Sequence, residues 1–156
     1  MGHSGRGSSL REALATARRV CFDTNALIYL LDRIEPYHSP VEQCLAILEA
    51  NRGEACASVV TELEMLVKPF RLGYQRQAER IVEYLSEAPW SVLPVSRQIA
   101  RQAAATRAAT NLRVADALIV ATALVSGCDA LVGNDARCAQ RVNEIRYIYL
   151  EDHVPL

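Results

Sequence analysis

Short apolar runs alternate with helical segments along most of the chain, and this alternation is the strongest constraint on its fold. Five runs have the length and composition of strands, and they cover residues 19–22, 55–58, 91–95, 129–133 and 146–150. The segments between them carry apolar residues at the spacing of amphipathic helices. Strands that alternate with helices favour parallel pairing, with helices on both faces of the sheet. We therefore predict a three-layer α/β/α domain with a mainly parallel central sheet.

Local signals predict where several helices begin and end. Thr24 or Asn25 can cap the helix that follows the first strand. The dipeptide LysPro at 68–69 predicts the end of the helix after the second strand, because proline restricts the preceding residue to extended backbone. Ser96 can cap the next long helix, which is expected to end near Asn111.

The length and composition of the chain indicate one domain. Its 156 residues, 51% hydrophobic and 22% charged, can bury one core and leave little material for a second. We assign this domain to residues 10–156. Residues 1–9 are small and polar and lack the apolar stretch of a secretory signal, so we expect a disordered segment or an added tag. No apolar run approaches the roughly 18 to 20 residues of a membrane span, so we expect a cytoplasmic protein that does not enter a membrane.

Net charge and cysteine spacing exclude several classes of protein. The formal net charge of −1 excludes a nucleic-acid binder with a uniformly basic surface, although a local basic patch stays open. The five cysteines show no CysXXCys pair and no histidines at zinc-ligand spacing, so they support neither a disulfide framework nor a zinc site. We expect them to be small buried side chains in a reducing compartment. The sequence also lacks the GlyXGlyXXGly and GlyLysSer or GlyLysThr motifs of nucleotide-binding loops.

Four acidic residues stand where predicted strands end or predicted helices begin: Asp23, Glu62, Asp116 and Asp135. In open α/β sheets the functional groups gather at the carboxyl ends of the strands. Crowded carboxylates repel one another, and burial raises their pKa values unless a cation compensates. Carboxylate and water ligands suit Mg²⁺ or Mn²⁺, which can activate a water molecule for phosphodiester hydrolysis. The four acids therefore predict the active site of a metal-dependent hydrolase.

Each acid has a structural explanation as well. The helix dipole favours an acid in the first turn of a helix, which covers Glu62 and Asp116. Asp135 is also explained as a turn or cap residue after a strand. Asp23 is the hardest to explain structurally, because an ionised acid directly after a buried strand has few structural reasons to be there. The prediction depends on the conjunction of all four.

Four segments share their order and separations with the motifs of a known family. They are CysPheAspThrAsnAlaLeuIleTyr from 21, AlaSerValValThrGluLeuGlu from 57, ValAlaAspAlaLeuIleValAlaThrAla from 114 and LeuValGlyAsnAsp from 131. This pattern resembles the PIN-domain nucleases and, within them, the VapC-type toxins of prokaryotic toxin–antitoxin pairs. The resemblance covers about residues 19–152. It implies a three-layer α/β fold, Mg²⁺ or Mn²⁺ held by acids, and endonucleolytic cleavage of RNA.

The resemblance also assigns roles to the acids. Asp23, Glu62 and Asp116 match the family's acidic ligands, and Asp135 matches its more variable fourth acid. The family often has Thr where this chain has Gly133, and often an aromatic residue where this chain has ArgCys at 137–138. Asp135 is therefore the least supported of the four.

Five polar residues near the acids are candidates for supporting roles: Thr24, Asn25, Ser58, Thr61 and Asn134. Thr24 and Asn25 match the polar pair after the family's first acid, where a hydroxyl and an amide could hold a metal-bound water or orient Asp23. Helix capping explains Ser58 and Thr61 equally well. Arg113 and Arg137 are candidates for phosphate contacts, with simple surface solvation as the alternative.

The resemblance implies partners: an RNA substrate, a second copy in a homodimer, and a small antitoxin that inserts a peptide over the acidic site. Apolar positions at 41–48 and 81–85 could form an interface, although core-facing helix positions explain them first.

Two alternatives within the family stay open: a non-catalytic PIN-like module that binds RNA or protein, and a stand-alone PIN nuclease without antitoxin. An aspartyl-phosphate phosphatase would have a second Asp where this chain has Asn25, and a receiver domain would need a Lys near its last strand, whereas the only Lys is Lys68.

Overall fold

The computed structural model describes residues 8–156. Within them, one sheet contains β1 (Arg19–Phe22), β2 (Glu54–Ser58), β3 (Trp90–Leu93), β4 (Ala130–Gly133) and β5 (Arg146–Tyr149). The strands follow the order β3-β2-β1-β4-β5, and every neighbouring pair is parallel. The predicted strands and their parallel arrangement are confirmed. Residues 1–7 of the predicted N-terminal segment lie outside the described residues, and Ser9 caps the first helix.

The helices of the described chain connect these strands. They are α1 (Leu10–Ala13), α2 (Thr24–Leu31), α3 (His38–Ala50), α4 (Val59–Leu72), α5 (Gln75–Ser86), α6 (Arg97–Thr110), α7 (Val114–Val125) and α8 (Ala136–Arg141), followed by a short 3-10 helix at Leu150–His153. No single helix within residues 8–156 is both long and apolar enough to cross a membrane; α6 and α7 would meet that test only as a pair, and they are bent by 119°.

Side chains alternate between the two faces of the sheet and contribute to two separate cores. Val20 and Phe22 of β1 pack with residues of α1–α5, whereas Cys21 between them packs with α6, α7 and α8. This alternation follows from the two-residue period of a strand. The predicted three-layer α/β/α architecture is confirmed.

The predicted end of α4 at LysPro is wrong. The helix contains Pro69 and continues to Leu72, and it ends at Gly73, whose φ of 72° is left-handed. Proline inside a helix costs roughly 3 kcal/mol through a lost hydrogen bond and a steric clash. Pro69 is buried, so its packing offsets part of this cost. The predicted cap and end of α6 are confirmed, because the Ser96 side chain accepts the Ile99 N–H and Asn111 ends the helix.

The two apolar stretches considered as an interface belong to the core. Val41, Cys44 and Leu48 of α3 are buried, as are Ile81 and Leu85 of α5. Both sets pack in the same cluster against the sheet. The interface interpretation of residues 41–48 and 81–85 is therefore wrong, and the explanation as core-facing helix positions is confirmed.

The sheet order places a crevice at the carboxyl ends of β1 and β4. From β1 the chain continues to β2 and β3 on one side, and β4 then returns to pair with β1 on the other side. Side chains that follow neighbouring strands at such a reversal point line a common cleft. Asp23 follows β1 and Asp135 follows β4 shortly after its last residue, so this topology brings two of the predicted acids to one place.

Candidate active site

Asp23 is a buried acid at the junction of β1 and α2. It is 6% exposed, its backbone N–H donates to the Val132 carbonyl of β4 at 2.8 Å, and its side chain accepts the Thr24 N–H at 2.7 Å. Asp23 itself is therefore the N-cap of α2, and the prediction that Thr24 or Asn25 caps this helix is wrong. A carboxylate is a good cap because it accepts an N–H that has no partner within the helix.

Asp116 and Asp135 approach Asp23 from the other face of the sheet. Asp116 lies half-buried in the first turn of α7, and Asp135 is the N-cap of α8. The Asp135 carboxylate accepts the N–H groups of Arg137 at 2.7 Å and Cys138 at 3.3 Å. Asp116 and Asp135 lie close enough to Asp23 to raise its pKa, and Asp135 also raises the pKa of Asp116.

The acid of α4 that lies beside these three is Glu64, two residues after the predicted Glu62. Glu64 lies close enough to raise the pKa values of Asp23 and Asp116, and its carboxylate accepts the Thr24 hydroxyl at 2.7 Å. No hydrogen bond or ion pair within residues 8–156 joins Glu62 to these acids. Two residues along a helix are roughly 160° apart around its axis, so Glu62 and Glu64 point to different sides of α4.

The pKa values of two acids show the electrostatic cost of this arrangement. The pKa of Asp23 is raised to about 7, chiefly by burial and further by the neighbouring carboxylates, while the Thr24 N–H lowers it. The pKa of Asp116 is raised by burial first and then by Asp135 and Glu64, and Arg113 and Arg137 partly oppose this. No salt bridge within residues 8–156 reaches these acids. The cluster therefore contains more negative charge than its surroundings neutralise.

The predicted supporting residues on α2 and α4 connect the two helices. The Thr24 hydroxyl lies 3.1 Å from the Thr61 hydroxyl and donates to Glu64. Ser58 is buried and caps α4 by accepting the Val60 N–H at 3.1 Å. Thr24 thus holds Glu64 and contacts Thr61, whereas Ser58 caps α4.

Asn25 and Asn134 tie together the loops that carry Asp23 and Asp135. The Asn25 side chain accepts the Asn134 N–H at 3.2 Å. The Asn134 side chain donates to the Tyr29 hydroxyl at 3.2 Å and accepts the Glu151 N–H at 3.0 Å. The two asparagines therefore fix the backbone on both sides of the crevice.

A groove of about 680 Å³ lies between α2, α4 and α5 and meets the acidic cluster at Glu64. Glu64 stands at one part of its wall, Ile28 and Met65 contribute apolar surface, and Lys68 and Arg80 contribute positive charge. The groove joins the acidic cluster to a surface that can take an extended chain of mixed polarity.

The donor set has the chemistry of a hard divalent cation site. Within residues 8–156, no group of three or more His, Cys, Asp or Glu side chains is arranged to hold an ion by itself. Mg²⁺ usually takes only one or two carboxylates directly and keeps several waters. Buried Asp23, with its raised pKa and no cationic partner, is the residue whose charge such an ion would compensate. The residues therefore fit Mg²⁺ or Mn²⁺ with waters completing the coordination.

Comparison with known proteins identifies a family. A family model described as PIN domain matches residues 20–144. None of the proteins with curated descriptions matches the chain significantly. The resemblance to PIN-domain nucleases is therefore confirmed, over most of the domain.

Several solved structures share the fold. A toxin–antitoxin complex from Klebsiella pneumoniae is 25% identical, with a TM-score of 0.63 over 81% of this chain and 94% of that chain. DNA-bound VapBC from Salmonella typhimurium is 19% identical, with a TM-score of 0.67 over 85% and 98%. VapC20 from Mycobacterium tuberculosis, a sarcin–ricin loop cleaving toxin, is 17% identical, with a TM-score of 0.60 over 81% and 98%. The last two likenesses are in the fold alone.

Proposed function

The chain belongs to the PIN domain family, and from that premise we propose that it is a Mg²⁺- or Mn²⁺-dependent endoribonuclease and the toxin of a toxin–antitoxin pair. The observation that carries the proposal is the position of Asp23. This buried carboxylate lies among Asp116, Asp135 and Glu64 with a pKa of about 7 and no salt bridge within residues 8–156. A fold rarely keeps such an arrangement without a cation to compensate it.

The acids divide into two roles in this proposal. Asp23 and Asp116 would hold the cation, because Asp23 is buried, Asp116 is half-buried, and the charge of Asp116 raises the pKa of Asp23. Glu64 and Asp135 would orient its waters, since their carboxylates are already fixed by Thr24 and by the first turn of α8. When bound, such an ion activates a water molecule and neutralises charge that develops on the scissile phosphate.

Basic side chains at the site provide contacts for an RNA backbone. Arg113 and Arg137 are exposed and lie near enough to Asp116 to lower its pKa. A guanidinium is suited to paired hydrogen bonds with a phosphate. These two residues are proposed to hold the phosphates that flank the cleavage point.

The proposed protein partner is an antitoxin whose peptide lies in the groove beside the acids. A structure that is 25% identical to this chain is a toxin–antitoxin complex. The groove provides apolar surface from Ile28 and Met65 and positive charge from Lys68 and Arg80. A peptide with apolar anchors and an acidic flank would fit it, and would block access to Glu64. The pair is proposed to act in the cytoplasm.

We also propose a homodimer formed through α4. Four apolar residues spaced along one side of this helix are exposed: Val59 (39%), Leu63 (62%), Val67 (41%) and Phe70 (62%). A contiguous exposed apolar stripe typically marks an interface. A two-fold axis would pair the same stripe from each copy, and because Leu63 adjoins Glu64 the two acidic sites would lie near each other.

Sedimentation tests this dimer. The wild-type protein should be dimeric and Leu63→Glu should be monomeric. Val82→Glu, at an exposed position of α5, is the control and should stay dimeric.

The proposed activity is tested by cleavage of a pool of structured and single-stranded RNA with Mn²⁺ and with EDTA. Wild-type protein should cut only with the metal. Asp116→Asn should lose about a thousandfold in rate, which corresponds to several kcal/mol of lost transition-state stabilisation. Asp129→Asn, which changes an acid at the opposite end of the sheet, is the matched control and should cut like wild type.

The alternative is a non-catalytic PIN-like module that binds RNA or protein. It would bind the RNA pool without cutting it under any metal condition. A protein that cuts equally well with EDTA, or an Asp116→Asn protein with full activity, would contradict the proposed mechanism. A nuclease without antitoxin would show the full metal-dependent activity and lack only the peptide partner.

A further inference from the structure

Gly133 occupies a position where a side chain has no room. A Cβ atom built on this residue would overlap the Tyr147 hydroxyl oxygen and would lie 3.0 Å from Cβ and 3.1 Å from Oδ2 of Asp23. Gly133 is the last residue of β4 and Tyr147 lies on the adjacent strand β5. Because residue 133 has no side chain, the Tyr147 hydroxyl has room to reach the acidic crevice.

Tyr147 is fully buried beneath the acids and holds one of them by its backbone. It is 0% exposed, and its register partner on β4 is Leu131. Its hydroxyl oxygen accepts the Asp135 N–H at 3.0 Å. Burial, and then the charge of Asp23, raise the pKa of the phenol, so it stays neutral at physiological pH. Tyr147 thus brings a neutral hydroxyl to a point bordered by Asp23 and the Asp135 backbone.

The geometry points to Tyr147 as a positioning residue of the active site, made possible by Gly133. This inference rests on the proposed metal-dependent nuclease. The hydrogen bond from Asp135 fixes the start of α8 and hence the direction of the Asp135 carboxylate. Groups that orient metal-site acids through hydrogen bonds affect metal affinity although they do not touch the ion. Residues 133 and 147 consequently act as one unit.

The closing experiment compares wild type with Tyr147→Phe, which keeps the ring and removes the hydroxyl. Exchange of the Asp135 amide proton in metal-free protein should become faster, because its acceptor is gone. The dissociation constant for Mn²⁺, measured by titration without RNA, should rise about tenfold or more. Tyr84→Phe, which removes a hydroxyl from α5 on a ring that packs near Trp90, is the matched control and should change neither quantity.

A rescue variant separates positioning from simple packing. Gly133→Ser in wild type should lower both stability and Mn²⁺ affinity, because its Cβ overlaps the Tyr147 hydroxyl. The same substitution combined with Tyr147→Phe should cost less stability than the sum of the two single substitutions, because phenylalanine removes the oxygen that the serine Cβ overlaps. Strong non-additivity of this kind is expected of residues that share one space.

The outcomes discriminate between the two proposals. If wild type binds Mn²⁺ and Tyr147→Phe binds it with the same affinity, the positioning role is wrong and the proposed function stands. Unchanged exchange of the Asp135 amide in Tyr147→Phe would overturn the role as well. A wild-type protein that binds no Mn²⁺ would contradict the proposed function and this role together.

Discussion

The two ends of the central sheet hold their charged residues in opposite ways. At the amino ends of the strands, Arg19 forms a 2.8 Å salt bridge with Glu54, and Asp129 accepts the backbone N–H groups of Arg18 at 2.7 Å and Arg19 at 3.1 Å. At the carboxyl ends, four acids face one another, and no salt bridge within residues 8–156 reaches them.

The difference is between an end whose charges are paired and the end where we propose the active site. Paired charges and satisfied N–H groups contribute to the stability of the fold. Carboxylates that repel one another reduce it, and proteins retain such conflicts mainly where a ligand compensates them. The contrast supports the proposed cation site at the carboxyl end of this sheet.

The largest difference in activity that we predict is between variants of Glu64 and of Glu62. Glu64→Gln should lower the Mn²⁺-dependent cleavage rate about a hundredfold, because it removes one charge from the cluster. Glu62→Gln changes the same residue type two positions away on the same helix and should stay within about threefold of wild type. RNA cleavage rates of the two variants decide the point. The reverse order would restore Glu62 as the fourth acid.

A second prediction is that removal of one charge has opposite effects on stability at the two ends. Without metal at pH 8, Asp23→Asn should raise the free energy of unfolding by about 2 to 4 kcal/mol, because asparagine keeps the cap without the charge. The melting temperature should rise by roughly 5 to 10 °C. Asp129→Ala should lower the free energy of unfolding by about 1 to 2 kcal/mol, because two N–H groups lose their acceptor. Effects of the same sign would contradict the contrast.

A third prediction concerns pH. The pKa of Asp23 is about 7 in the folded protein, against roughly 3.9 for an unfolded chain. Between these two pH values the folded state keeps a proton on Asp23 that the unfolded state has lost. The stabilising effect of this proton is therefore fully present below a pH of about 4 and is lost as the pH rises through about 7. The metal-free protein should thus lose stability from pH 5 to pH 8, and Asp23→Asn should flatten this dependence. Thermal unfolding across this range measures both.

The smallest predicted effect belongs to the paired end. Arg19 and Glu54 have side chains about two-fifths exposed, at 41% and 39%. Ion pairs at such partly exposed positions typically contribute less than about 1 kcal/mol. Glu54→Gln should therefore lower the free energy of unfolding by less than about 1 kcal/mol, and 0.5 M NaCl should abolish most of the difference. A larger, salt-insensitive loss in denaturant unfolding would show that this pair is more important than its exposure indicates.

The strands and the architecture could be predicted because their signals are local. The run ArgValCysPhe alternates between two faces, and both sides are covered by helices that the apolar spacing indicates. The positions of Asp23 and Asp116 follow from the same signals, since one ends a strand and the other begins a helix. The end of α4 was mispredicted because the burial that accommodates Pro69 is a tertiary effect.

Which glutamate of α4 lies beside the other acids depends on how this helix packs against its neighbours. Both Glu62 and Glu64 flank the buried side of the helix that contains Thr61 and Met65. The sequence does not say which flank faces Asp23, although Thr61 and Glu64 are one turn apart and both contact Thr24 in the structure. The close approach of the Tyr147 hydroxyl to Gly133 is also invisible in sequence, because it depends on how two strands separated by α8 lie side by side.

Calorimetric titration of metal-free protein with Mn²⁺ near pH 7 tests directly whether the acids at the carboxyl end of the sheet bind a cation. We predict saturable binding that disappears in Asp23→Asn. Binding should release protons, because the fraction of Asp23 that is protonated near pH 7 must lose its proton to hold the ion. If wild type does not bind Mn²⁺, or if Asp23→Asn binds it equally well, Asp23 does not hold a cation and the proposed site is wrong.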